Sequence, residues 1–225
     1  MDTQQNILFV SNGSYFLYEN NSSKEEIENG QLNNLKSISS ENAIAYIDGE
    51  HFNLIPQSIF DESSIDNYLE LTSTELKGTT PISNKIDQID STILWTLNEN
   101  IKKPIIVKSP GIDFRHLLEV FINEPIAQTI YPEIKIRITK YTVYILCYLK
   151  GKLQLANRFI ITGEDDIIYY TLLCSEHAQI NKEITRCSIK GFADENLTKK
   201  INNFFKKENI QINENYSFQS FISWE

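Results

Sequence analysis

Glu164-Asp165-Asp166 is the one tight carboxylate cluster in this sequence that stands where chemistry could use it. Oxygen ligands of that kind suit a hard divalent cation. The same acids also suit the first turn of a helix, where unpaired amides and the helix dipole favour negative charge, and Thr162-Gly163-Glu164-Asp165 has the spacing of a capping box. The cap is the reading adopted, with Glu164 and Asp165 kept as the alternative metal ligands. Tyr169 and Tyr170 follow one turn later, where one ring is expected to pack in the core with its hydroxyl bonded. His51, His116 and His177 are far apart, with no H-x-x-x-H or H-E-x-x-H spacing, so no zinc site follows. His116 is expected on the solvent side of an apolar helical stripe or at its edge, as a packed or surface residue. Cys147, Cys174 and Cys187 form an odd set without C-x-x-C spacing, each among apolar neighbours, and read as buried free thiols. G-x-S-x-G, G-x-x-x-x-G-K-S/T and G-x-G-x-x-G are all absent, which removes the local geometry of hydrolase, P-loop and dinucleotide sites. No catalytic residue, metal or cofactor is assigned, and an enzyme is not expected.

The elements that would position such groups are clearest from Ile134 to Phe205. Apolar and β-branched residues alternate through Ile134, Ile136 and Ile138, then from Tyr141 to Tyr148, and again from Leu153 to Ile161 after the turn Lys150-Gly151-Lys152. A helix from about Glu164, a strand over Ile184 to Ile189 and a helix from about Glu195 to Phe205, capped by Asp194, complete a β-β-β-α-β-α unit. Earlier in the chain, Ile7 to Val10 and Tyr15 to Tyr18 flank Ser11-Asn12-Gly13-Ser14 as a hairpin. Residues 20–42 fit an edge strand with a short helix or loop. Ala43 to Ile47 and Phe52 to Ile55 flank Asp48-Gly49-Glu50 as a second hairpin, and Ser63 to Leu71 read as a helix. Leu76 to Ile93 is expected to return to the sheet, and Pro104 to Lys108 to form a short strand. A helix capped by Asp113 then buries Phe114, Leu117, Leu118, Phe121 and Ile122. Pro125 and Pro132 suggest a boundary between a lobe over 1–124 and a lobe over 133–225.

Asn157-Arg158-Phe159, Glu164-Asp165-Asp166 and Tyr169-Tyr170, with Leu54-Ile55-Pro56, Phe60, Tyr68-Leu69 and Arg115-His116-Leu117-Leu118, resemble a domain-of-unknown-function family of Bacteroidetes bacteria. The resemblance implies an α+β or α/β chain of actin-like ATPase fold: two ribonuclease-H-like lobes with mixed sheets and packed helices, and no established activity. An actin-like ATPase holds phosphates on the backbone amides of two hairpin turns, with an Asp beside each for the metal and the attacking water. Against that pattern, Ser11-Asn12-Gly13-Ser14 keeps Gly and Ser but has Ser11 in place of the carboxylate. The second turn, near Ile138-Thr139-Lys140-Tyr141, has neither Gly nor Asp, and the purine loop after the Ile184 to Ile189 strand retains only Lys190-Gly191-Phe192. If nucleotide binding survives, Asn12, Gly13, Ser14, Lys140 and Gly191 would carry it. The first lobe is therefore read as degenerate, and the chain as a pseudoenzyme.

A net charge of −9 from 21 Lys and Arg against 30 Asp and Glu opposes binding to a phosphate backbone, so nucleic acid is not an expected partner. The first residues are neither basic nor apolar enough for a signal peptide, and no 18-residue apolar run occurs, so a cytoplasmic location without an integral membrane segment is expected. Tyr216 to Glu225 is rich in aromatic residues and lacks Lys and Arg. Phe218, Phe221 and Trp224 are read there as an interface, for a protein partner or for self-association. The expectation is a non-catalytic, cytoplasmic protein-binding or scaffold module of actin fold, with an ATP-binding enzyme of displaced metal site as the alternative.

Overall fold

A computed structural model describes residues 6–11, 14–19, 22–27, 43–71, 77–126, 130–192, 195–206 and 210–213. The expected cap Asp194 and the tail residues Phe218, Phe221 and Trp224 lie outside them, as do Asn12 and Gly13. The chain divides into two compact units, Met1–Asn123 and Glu124–Glu225.

In the first unit, β1 (Asn6–Ser11) and β2 (Ser14–Glu19) pair antiparallel, closing at Ser11 opposite Ser14. β3 (Ser22–Ile27) adds to β2 as an edge strand, which accounts for part of the 20–42 segment. β4 (Ile44–Ile47) lies parallel to β1 and does not form the expected hairpin with β5 (Phe52–Pro56). The reason is edge occupancy: β8 (Asp113–His116) takes the other side of β4, so Asp48 and Gly49 lead out of the sheet. β5 instead pairs with β7 (Ser91–Asn98), and β7 with β6 (Thr79–Ile86), in a separate three-stranded sheet. The segment expected to return to the main sheet therefore builds its own. α1 (Ile65–Glu70) packs Leu69 with Ile55 and Leu94 under this second sheet.

Two further readings are corrected in this unit. Residues 104–108, read as a strand, end α2 (Glu99–Lys108), which Asn98 starts by accepting the Asn100 amide at 2.8 Å. Pro104 sits inside that helix, next to buried Ile105. Asp113 begins β8 and caps nothing; α3 (Leu117–Ile122) starts at His116, whose Nδ1 accepts the Leu118 amide at 3.1 Å. His116 is fully buried, not on a solvent edge.

The second unit follows the sequence pattern closely. β9 (Glu133–Ile138), β10 (Thr142–Leu149) and β11 (Lys152–Ile160) form the meander, turned between β10 and β11 at Lys150 and Gly151 with φ of 52° and 72°. α4 (Glu164–His177) follows, then β12 (Arg186–Gly191), which starts after Ile184 and runs past Ile189, and α5 (Glu195–Ile201), which ends before the expected Phe205. A fifth strand, β13 (Ile210–Asn213), pairs parallel to β12 and was not expected from the sequence. One face of this sheet carries Ile134, Ile136, Ile138, Val143 and Ile145 against Ile167, Leu197 and Ile201 of the helices and Phe205 just beyond α5.

The two five-stranded sheets have the same order, β3-β2-β1-β4-β8 and β11-β10-β9-β12-β13. Within each unit the third, second and first strands are antiparallel neighbours, and the fourth and fifth run parallel to the first. The inserted three-stranded sheet, between the fourth and fifth strands of the first unit, has no counterpart among the described residues of the second.

Candidate functional site

Open sheets with parallel central strands bind ligands at the carboxyl ends of those strands. Register makes the two ends comparable. Val10 lies opposite Ile47 as Ile138 lies opposite Gly191, and the next amide repeats the match: Asp48 donates to the Val10 carbonyl at 2.8 Å, Phe192 to the Ile138 carbonyl at 3.0 Å. Ser11 thus corresponds to Thr139, Ser14 to Thr142, and Asp48 to Phe192.

In the first unit the carboxylate absent from position 11 arrives from the neighbouring strand. Ser11 Oγ donates to Asp48 Oδ2 at 2.7 Å, and both side chains are buried. Asp48 was hidden in the sequence because Asp48-Gly49-Glu50 imitates a hairpin turn. Gly49 is required where it stands: a Cβ there would lie 2.8 and 2.9 Å from the His116 ring and 3.2 Å from Trp95. Because Nδ1 of His116 accepts a backbone amide, its Nε2 carries the proton and donates to the Gly49 carbonyl at 3.2 Å. The ring also meets Phe52 and Trp95, with centroids 5.0 and 5.4 Å away. Both nitrogens are therefore engaged with backbone groups.

In the second unit the matching turn is closed by its own hydroxyls. Thr139 Oγ1 accepts the amides of Thr142 at 3.0 Å and Tyr141 at 3.4 Å, and lies 2.6 Å from Thr142 Oγ1. The Thr139 amide donates to the Thr142 carbonyl at 2.8 Å. Three amides of this turn thus already have partners within it. Lys140 is exposed, its ammonium 5.3 Å from the Tyr141 ring centroid. Gly191, the residue set aside for a purine loop, is buried within β12 opposite Ile138. Its φ of 102° turns the chain so that Phe192 can bond Ile138, which is a backbone reason for glycine. Ser14 is placed in β2 opposite Ser11.

Glu164 and Asp165 converge on a protein cation. Lys200 Nζ lies 3.1 Å from Glu164 and 2.7 Å from Asp165, and Asn196 also donates to Glu164. The Asp165 hydrogen bond, then that of Glu164, pushes the Lys200 ammonium up. The cap is shifted by one residue from the sequence reading. Gly163 is the N-cap without a side-chain bond, and Asp166 accepts the Thr162 amide at 2.7 Å and its hydroxyl at 2.8 Å. Those bonds hold the Asp166 carboxyl below its ordinary value. Tyr170 stacks on Phe159 with centroids 4.0 Å apart, while Tyr169 is exposed. Among the described residues, no group of three or more His, Cys, Asp or Glu side chains is arranged to hold a metal. The cysteines are all free and share one core; burial pushes the Cys174 and Cys187 thiols up to about 12.

A charged group that alternation did not reveal lies on the other face of the second sheet. Lys135 and Arg137 are each 1% exposed. Arg137 Nε reaches the two Glu124 oxygens at 2.9 and 3.1 Å, and its Nη1 reaches the Ile136 and Ser188 carbonyls at 3.0 and 2.8 Å. Lys135 Nζ donates to the Glu124 and Pro125 carbonyls at 3.0 and 3.1 Å, and Lys190 stands 3.6 Å from Glu124. Burial pushes Lys135 down to about 8 against the pull of Glu124. For Glu124, burial raises the carboxyl, but Arg137, then Lys190 and Lys135, outweigh it and hold it below the usual range. These groups satisfy one another and leave this face closed.

Comparison with known proteins now has a fold to attach to. One family profile, described as "Protein of unknown function (DUF3822)", matches residues 2–207. The chain belongs to that family. Its fold is that of the actin-like ATPases. A Bacteroides thetaiotaomicron protein of actin-like ATPase fold and unknown function superposes with a TM-score of 0.79 at 17% identity, over 93% of this chain and 90% of that one. A chain of the PilM–PilN type IV pilus biogenesis complex superposes with a TM-score of 0.54 at 8% identity, over 95% of this chain and 89% of that one. No curated protein sequence matches. Among the described residues no helix is long and apolar enough to cross a membrane.

Proposed function

We propose that this chain is a non-catalytic actin-fold protein, a pseudoenzyme that works in the bacterial cytoplasm as a protein-binding or scaffold module. The observation that carries the reading is the Thr139–Thr142 turn, whose amides bond within the turn where an actin-like ATPase would present them to a phosphate. Phe192 supports it, because an aromatic ring stands where register places Asp48 in the first unit. A metal-bound nucleotide does not fit this end: it would meet a side chain that cannot ligate a cation and amides already paired. The similarity to a chain of a pilus biogenesis complex favours a protein partner or self-association over a small ligand.

One observation favours the second reading, an ATP-binding enzyme with a displaced metal ligand. Asp48 brings a carboxylate to the first hairpin, beside Ser11. Glu164 and Asp165 do not serve this reading, since Lys200 already occupies their charge. Calorimetric titration with Mg-ATP and Mg-GTP decides between the two. The proposal expects no saturable heat. A micromolar dissociation constant that disappears in Asp48→Asn or Ser11→Ala would overturn it and establish the second reading.

A further inference from the structure

The charged face of the second unit holds more cation than anion. Among the described residues, Lys135, Arg137 and Lys190 stand there against two carboxylates, Glu124 and Glu133. Register adds Tyr144 and Tyr148 from β10, half-buried Arg158 from β11 and exposed Arg186 from β12, and none of these supplies a negative charge at neutral pH. Hydrogen bonding on this face is well satisfied, but charge is not, and a buried cation without a full counter-charge is costly.

The geometry singles out which cation bears that cost. Arg137 takes both Glu124 oxygens through Nε, at 2.9 and 3.1 Å, and a guanidinium keeps its proton at any ordinary pH. Lys190 is 25% exposed, so water reaches it. Lys135 has neither advantage. It is 1% exposed, and its Nζ lies 3.9 Å from Glu124 Oε2, beyond hydrogen-bond reach. Its partners are neutral: the Glu124 and Pro125 carbonyls at 3.0 and 3.1 Å, and the Tyr148 ring, with its centroid 5.1 Å away. The Tyr148 hydroxyl has no partner and does not serve it. A lysine so placed can shed its proton, as an arginine cannot. Burial, the largest cause, pushes the ammonium from 10.5 down to about 8; Glu124 and Glu133 oppose the shift, and Arg137 and Lys190 add to it.

We infer that Lys135 is a proton-operated brace of the second unit: with its proton it strains the buried face, and as the proton leaves, the closed face that includes Glu124 and Pro125 is held more firmly. The sign follows from linkage. Between about 8 and 10.5 the unfolded chain binds this proton more tightly than the folded one, so stability rises with pH across that window. Below it both forms are protonated, and Lys135 contributes a constant penalty. Any local opening that brings Lys135 into water obeys the same relation, so release of the Glu124–Pro125 segment becomes harder as the proton is lost.

Two measurements test the brace. In the wild-type chain labelled with 13C-lysine, the Lys135 Cε resonance, assigned through its own backbone, is followed against pH. Its midpoint should lie at least about one pH unit below those of the exposed lysines; a midpoint closer to theirs than that would overturn the inference. Urea unfolding of the wild type and of Lys135→Met is then compared near pH 7 and near pH 9. The folding equilibrium constant of the wild type should rise by about tenfold relative to the variant, whose side chain has no proton to lose. A ratio that does not change with pH would also overturn it, because a lysine that only fills space would give that result. The first measurement needs no substitution, so it decides the matter even where Lys135→Met fails to fold.

Discussion

Replacing Glu124 with Ala tests the reasoning about the second unit most severely, because among the described residues its carboxylate is the acid in direct hydrogen-bond contact with Arg137. Removing it leaves Arg137 with the Ile136 and Ser188 carbonyls and the Ser188 hydroxyl, and leaves three cations, Arg137, Lys135 and Lys190, facing one another. Breaking one partner out of a buried pair costs about 3–5 kcal/mol, since the surviving charge stays desolvated. Urea unfolding followed by circular dichroism should show a loss of that order at pH 7. Glu124→Gln keeps an acceptor oxygen and should lose less. The double variant Glu124→Leu with Arg137→Met removes both charges and should be much less destabilised than the sum of its parts. The pH dependence has a definite sign. The folded carboxyl is held below the ordinary value, so its contribution is present above the unfolded glutamate pKa of about 4.3 and is lost as pH falls through the folded value. The gap between the wild type and Glu124→Gln should therefore close in acid. A loss below about 1 kcal/mol for Glu124→Ala, the size of an average substitution, would refute the burial argument.

Gly49→Ala should destabilise the first unit by about 1–3 kcal/mol, because the new methyl meets the His116 ring; a melting temperature equal to the wild type's would show that the ring moves freely. All three cysteines should label slowly with Ellman's reagent in the native chain and fully in denaturant, and fast native labelling would contradict their burial. Thr162→Ala should lower the urea midpoint more than Asp165→Ala does, since Thr162 bonds Asp166 at the start of α4 while Asp165 only meets exposed Lys200; the opposite order would restore the capping box read from the sequence.

Where local pattern and tertiary position agreed, the sequence was readable. Ile134, Ile136 and Ile138 alternate and face the helices, Lys150-Gly151 turns the hairpin, and the helix after Glu164 follows. Where tertiary pairing decided, it was not. Ile210–Asn213 is four residues in a polar stretch, and it becomes a strand through pairing with β12. Asp48-Gly49 has the composition of a hairpin turn, yet β4 is flanked on both sides by parallel strands and leaves no edge for β5. Lys135 and Arg137 alternate with isoleucines as a solvated face would, and partners from outside the strand, Glu124 with the Pro125 and Ser188 carbonyls, make their burial tolerable. The candidate site shows the same division. The lack of Asp at position 11 and of Gly near Lys140 was plain from sequence. The arrival of Asp48 beside Ser11, and of Phe192 at the corresponding place, depends on the parallel pairing of a fourth strand with a first.

The closed turn itself can be measured. Hydrogen exchange of the Tyr141 and Thr142 amides, followed by NMR with and without Mg-ATP, reads the groups on which the account depends. Bonded within the turn to Thr139 Oγ1, they should be protected in the free protein and unchanged by nucleotide. Amides that exchange freely and become protected only when Mg-ATP is added would show a working phosphate turn, and would contradict the account.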